Sequence, residues 1–300
     1  MPTPHAPHSL TSLLWGGRVQ VNGTGLWFDV LSPAVRLGQD ELVELPQVIG
    51  VHGGPGIDST SLLTVLTQLT NVAQVIRYDQ RGHGRSDPGR PAQWTVDTWA
   101  DDLAVLVAAL GVDRPVLFGV SFGAYVALAC AARYPGRVGG VFAAYGGGRM
   151  DQAATVEAFR RLGGDGAAEA AEGDPEDPEG SFRTWLQVCW PLCSRSPAGT
   201  AHLARMPSLS IDSPQVHAVH ARAAVEQEQL PNLDRLTCPV LVRSGCDDPL
   251  SPPAVMTELA GALTASSRCD LVLVPDAGHT LFADQPDRAY KAVRNYLDHL

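Results

Sequence analysis

A single serine stands between two glycines in Gly119-Val120-Ser121-Phe122-Gly123. The run "RPVLF" before it is β-branched and aromatic, and "YVALACAARY" after it reads as a helix with small residues on one face. At the tip of a tight strand-to-helix turn a side chain is pushed out beyond the carboxyl ends of the strands, on a strained backbone. Glycine at the second position on either side removes the Cβ atoms that would collide with the helix. A glycine-flanked serine can also merely turn a chain, but a strand before it and a helix after it favour an exposed nucleophile. The free N–H groups and the dipole of the new helix favour negative charge at that point.

A serine hydroxyl is a weak nucleophile and needs a base, itself oriented by a carboxylate. Two later segments supply both in the order serine, acid, histidine. "LVRSGCDDPLSP" carries Asp247 and Asp248 out of a strand, and "LVPDAGHTLF" carries His279 out of the next. Strand ends of this kind meet at the carboxyl edge of a parallel sheet, where Ser121 also projects.

The elements that must hold these groups are legible as a rhythm. "LLWGGRVQVNGTGLWFDVLS" alternates around Asn22-Gly23, which predicts a hairpin. Buried-strand runs follow at "QVIGVHG", "AQVIRYD", "PVLFG" and "RVGGVFAAY". Helices are expected at about 59–69, over "TVDTWADDLAVLVAALG" and over "AYVALACAARY". Strand and helix units in alternation predict a mostly parallel, doubly wound α/β sheet with right-handed crossovers. The rhythm stops after Tyr145 and returns at "PVLVRSG", so residues 146–236 are expected to be a helical insertion between core segments 1–145 and 237–300. Within it "GGDGAAEAAEGDPEDPEGS" is expected to be a mobile surface loop. "FRTWLQVCW" and "SPQVHAVHARAAVEQEQL" are expected to be helices, the second capped by Ser213 with Pro214 at its first position.

The chain has 300 residues and a formal charge of −10. An acidic surface repels phosphate backbones and anionic lipids, so neither a nucleic-acid nor a membrane partner is expected. No secretory signal or bilayer-length apolar run is evident, and the six scattered cysteines read as buried thiols of a reducing cytoplasm. Cys189 and Cys193, like His217 and His220, have helical spacing but lack further ligands at metal-site distances, so no metal is expected.

Taken together, these residues resemble an α/β-hydrolase over nearly the whole chain. The resemblance implies that the acid follows a G-x-x-D signature, matched by Gly245 and Asp248, with Asp247 as second choice. It also implies an oxyanion hole made by the backbone N–H of Phe122 and one from His52-Gly53-Gly54-Pro55-Gly56, assigned to Gly54. "HGGPG" followed by "YDQRGHGRS" resembles the proline iminopeptidase branch. There the loop matching Asp79, Gln80, Arg81, Gly82 and Ser86 neighbours the site, with Asp79 and Arg81 fixing the loop. His83 lies too early in the chain for the base. The elbow departs from the Gly-Gly-Ser-Trp-Gly of that branch, and Phe122 is equally at home in esterases, lactonases and carbon–carbon bond hydrolases.

The expected function is a cofactor-free serine hydrolase acting through an acyl-enzyme. Its leading substrate class is short peptides with N-terminal proline or another small residue. The alternatives are an esterase or lactonase on small apolar esters, and a ligand receptor that binds without turnover. In the insertion, Glu226 falls on the apolar stripe of Val219, Ala223 and Leu230 and is the candidate anchor for a substrate ammonium, ahead of Glu228. Trp185 and Trp190 are candidate walls of an apolar pocket, with insertion core as the alternative for both.

Overall fold

The computed structural model describes residues 15–38, 41–216 and 231–300. Ten strands are present among them: β1 (Gly16–Val21), β2 (Thr24–Val30), β3 (Val35–Leu37), β4 (Leu42–Glu44), β5 (Gln47–Val51), β6 (Gln74–Tyr78), β7 (Val116–Val120), β8 (Gly140–Ala144), β9 (Val240–Gly245) and β10 (Cys269–Val274). Eight of them form one sheet in the order β1-β2-β6-β5-β7-β8-β9-β10. The β1–β2 pair is the expected hairpin, turned by Asn22 and Gly23 at φ 44° and 72°. Strand β2 also runs antiparallel to β6, and every pair from β6 to β10 is parallel. The carboxyl ends of the six parallel strands therefore open onto one edge.

Alternation along the buried strands divides the core in two. Ile49, Leu117, Val141 and Val242 face the side covered by α2 (Val96–Ala109), α3 (Phe122–Arg133) and α8 (Pro253–Ala262). Val48, Phe118, Phe142 and Leu241 face the side covered by Leu62, Leu66 and Leu69 together with α9 (Leu281–Asp284) and α10 (Pro286–Leu297). Runs of four or five buried residues in β5, β6, β7 and β8 are what a sheet covered on both faces demands.

Two expected elements need correction, and one hairpin was not expected. The helix expected at 59–69 is a single α-turn, α1 (Leu63–Leu66), between two 3-10 turns. Threonine hydroxyls in it bond back to the main chain (Thr67 Oγ1 to Leu63 O, 2.9 Å), which competes with regular helix. A separate hairpin, β3 with β4, was missed because three-residue strands with exposed Leu37 and Leu42 carry no burial alternation. The acidic segment expected to be a loop contains α5 (Asp165–Glu172), with Ala167, Ala168 and Ala170 buried. Alanine is the best helix former and small enough to lie close against α4 (Gln152–Gly163), which outweighs the flanking glycines.

Between β8 and β9 the described residues also form α6 (Pro178–Val188) and α7 (Pro197–Leu209). This region has its own small core of Phe159, Ala167, Ala170, Cys189, Cys193 and Leu203. It touches the main body through a bridge of Asp212 to Ile57 and a bond from Ser213 N to Gly56 O of 2.6 Å. The helix expected after Ser213 lies outside the described residues beyond Val216.

Candidate active site

Ser121 follows β7 and caps α3 with φ 52° and ψ −121°, a conformation costing roughly 1–3 kcal/mol for a residue with a Cβ. Its surroundings impose the strain. The Ser121 N–H donates to Ala144 O of β8, and its carbonyl accepts from Ala124 N, both at 2.9 Å. The flanking glycines are demanded by contact: a Cβ at Gly123 would run into the Val51 carbonyl oxygen, and one at Gly119 would stand 2.6 Å from Ala124 Cα.

The three groups separated along the chain meet at the carboxyl edge. Ser121 Oγ lies 2.9 Å from His279 Nε2. His279 Nδ1 lies 3.0 and 3.1 Å from the two oxygens of Asp248. A carboxylate against Nδ1 keeps the proton on that nitrogen, so Nε2 presents a lone pair to the serine hydroxyl. Asp248 and His279 are buried, and both are held from behind. Asp248 Oδ1 accepts from Leu250 N and Ser251 N at 2.9 and 3.0 Å. The His279 N–H donates to Cys193 O of the insertion at 2.7 Å, and the Tyr145 ring stands edge-on to the imidazole at 4.9 Å. Asp247, the second choice for the acid, is exposed and faces Arg195 at 3.9 Å.

The glycine-rich loop after β5 passes beside Ser121: a Cβ at Gly53 would be 3.2 Å from Ser121 Cβ. Gly54 has φ 114°, and Phe122 opens α3 directly after the serine. A general oxyanion site needs backbone N–H groups from these two places. Behind the loop lies a buried brace. His52 Nε2 accepts from Gln80 N at 3.1 Å, and Gln80 Nε2 donates to His52 O at 2.9 Å. His83 Nε2 accepts from Gly56 N at 3.0 Å, so this imidazole supports the loop and does not face Ser121. Burial, aided by the neighbouring His52, pushes the pKa of His83 down to about 3, and burial lowers that of His52. Asp79 accepts from Ser59 Oγ (2.6 Å) and Arg85 Nε (2.7 Å), while Arg81 makes two 2.8 Å bonds to the buried Asp102 of α2.

Asp284 is a further buried carboxylate that no motif flagged. It accepts from Gly278 N (2.9 Å) and Thr280 Oγ1 (3.0 Å) on the histidine loop, and from Ser194 Oγ (2.8 Å), Ser196 Oγ (2.7 Å) and Arg195 N (3.1 Å) on the insertion. Its sequence signal was only an acid five residues after His279, common at a helix end.

The candidate substrate-binding residues fare differently. Trp185 and Trp190 pack on each other with ring centres 5.6 Å apart, Trp185 also lies against Phe159 and Phe182, and Trp190 Nε1 donates to Leu203 O at 3.3 Å. These contacts place both against the insertion's own core. Glu226 and Glu228, with His217 and His220, lie outside the described residues. Of the six cysteines, Cys246 is exposed, against the expectation that all are buried, because it sits in the loop after β9. Among the described residues no cluster of three or more His, Cys, Asp or Glu could hold a metal, and no helix is long and apolar enough to cross a membrane.

Comparison with known proteins agrees with this architecture. The chain is 28% identical over 257 residues to a 2-(acetamidomethylene)succinate hydrolase of Mesorhizobium japonicum, spanning 81% of this chain and 86% of that one. It is 29% identical over 147 residues to a proline iminopeptidase of Thermoplasma volcanium, a match spanning 49% of this chain and 46% of the relative. A proline iminopeptidase-related protein from Thermus thermophilus superposes with a TM-score of 0.70 at 26% identity, covering 95% of this chain and 97% of its own. The family model described as the alpha/beta hydrolase fold matches residues 46–286, which take in the Ser121 turn, the loops after β9 and β10 and the helices between β8 and β9. A match of that extent, on a sheet of this order, makes the chain a member of the alpha/beta hydrolase family.

Proposed function

We propose that the protein is a serine hydrolase working through an acyl-enzyme, and that it acts as an aminopeptidase on short peptides with N-terminal proline or a small residue. The reading is carried by one observation, the unbroken relay from Ser121 Oγ through His279 to Asp248. In it His279 Nε2 takes the hydroxyl proton as Ser121 Oγ bonds to the scissile carbonyl carbon. Asp248 holds the imidazole in the required tautomer and stabilises its charge. The N–H groups of Gly54 and Phe122 bind the oxygen that becomes negative, an interaction worth about 10²–10³ in rate per donor. The imidazolium then gives its proton to the leaving amine as the carbon–nitrogen bond breaks. Water, deprotonated by the same imidazole, releases the acid and restores Ser121.

The similarity to proteins named proline iminopeptidase supports the peptidase reading. Phe122 in the elbow favours the second reading, an esterase or lactonase on small apolar esters. A fluorophosphonate probe is expected to label wild type and not Ser121→Ala; a folded wild type that never labels would instead indicate a ligand receptor. Turnover of proline-β-naphthylamide without turnover of p-nitrophenyl butyrate selects the peptidase, and the opposite result selects the esterase.

A further inference from the structure

Tyr145 directly follows β8, where the chain leaves the sheet for the helices that precede β9. Its φ of 39° is left-handed, a conformation that a bulky side chain adopts only where its surroundings impose it. They do so on both sides of the residue. The Tyr145 N–H donates to Arg243 O of β9 at 2.7 Å, and its carbonyl accepts from Ser251 Oγ at 2.9 Å. The next residue is pressed against the Ser121 turn, since a Cβ at Gly146 would run into the Ser121 carbonyl oxygen.

This one position reaches all three groups of the relay. Gly146 beside it packs on the Ser121 backbone. The buried Tyr145 ring stands against the His279 imidazole, with centres 4.9 Å apart and planes inclined by 66°. Ser251, whose hydroxyl holds the Tyr145 carbonyl, donates its own N–H to Asp248 Oδ1 at 3.0 Å. Asp248 closes the circuit on His279 Nδ1. Hydrogen bonds at Nδ1 and Nε2 fix two points of the imidazole but leave it free to tilt about the line joining them. A third contact off that line stops the tilt, and a crossed pair of rings at this separation is a favourable one.

We infer that Tyr145 is a positioning residue, anchored by Ser251, whose ring holds the plane of the His279 imidazole so that Nε2 meets Ser121 and Nδ1 meets Asp248 together. This rests on the reading of these three as the working relay and adds what keeps them in register. The aromatic ring does the holding; the phenolic hydroxyl is not required.

Saturating fluorophosphonate labelling separates capture of the probe, read as a half-saturating concentration, from the chemical step, read as a maximal rate constant. Tyr145→Leu is expected to lower the maximal rate constant about ten- to a hundredfold, the cost of a misplaced catalytic group, with the half-saturating concentration unchanged. Tyr145→Phe, which keeps the ring, is expected to label at the wild-type rate. Ser251→Ala is expected to slow labelling about fivefold, as the loss of one hydrogen bond implies. The double variant Tyr145→Leu/Ser251→Ala is expected to be no slower than Tyr145→Leu, because both act through one unit. Tyr296→Leu removes a ring from the same core at the far end of β8, where its hydroxyl lies against Gly140. It is expected to lower the thermal midpoint and to leave labelling unchanged at a temperature below the midpoints of all variants. A folded Tyr145→Leu that labels at the wild-type rate, or that slows no more than Tyr296→Leu, overturns the inference alone. So does a Tyr145→Phe as slow as Tyr145→Leu, or a double variant slowed by the product of the two single effects. Should Tyr145→Leu not fold, Ser251→Ala carries the test, and a wild-type rate there overturns the inference. A wild type that does not label overturns the reading of Ser121 and this inference with it.

Discussion

At the level of single residues, the site separates histidines by environment. His279 sits between a carboxylate and a hydroxyl, whereas His83 is enclosed and supports Gly56. A folded-state pKa of about 3 for His83, against about 6.5 in an unfolded chain, means that the unfolded state binds more protons between those values. Its contribution to stability is therefore complete above about pH 6.5 and drains away as the pH falls toward 3, by about 1.4 kcal/mol per pH unit within that window. Thermal unfolding followed from pH 7.5 to 4 is expected to show this slope, and His83→Gln is expected to flatten it while lowering stability at pH 7.5.

The element that matters most is the strand–turn–helix of β7 and α3. It places the serine because α3 approaches β5 so closely that only Gly123 fits against the Val51 carbonyl. Gly123→Ala is expected to cost about 3 kcal/mol, as overpacking of a tight contact does, and to lower activity by moving Ser121 relative to His279. Denaturant unfolding and fluorophosphonate labelling rate measure the two effects. The turn was readable because glycine spacing, strand and helix all coincided in one short stretch. The choice between Asp248 and Asp247 was less readable: they are adjacent in sequence, and the backbone path that seats Asp248 on Leu250 N and Ser251 N is what turns it toward His279. Elements whose identity depends on contacts were not readable. The alanines of α5 look like a disordered acidic run until α4 is laid against them, and β3 and β4 are too short and too exposed to show a period.

Across the whole molecule, insertion and sheet meet at Asp284, where donors from Ser194, Arg195 and Ser196 converge with donors from Gly278 and Thr280. Asp284→Ala strands several buried donors and is expected to destabilise by on the order of 3 kcal/mol. It is also expected to lower kcat more than it raises KM, because it loosens the loop that carries His279; Asp284→Glu should recover part of kcat, and steady-state kinetics on any accepted ester reads both. This junction was invisible in the sequence because its partners lie about 90 residues apart. The insertion's manner of attachment has one more consequence. It holds the His279 backbone through the Cys193 carbonyl and grips the glycine-rich loop through Asp212 and Ser213. On the proposed reading, whatever part of these helices touches a substrate is bolted to the catalytic loops by the same few bonds, so a lineage that remodels them to admit a new guest drags its reaction speed along.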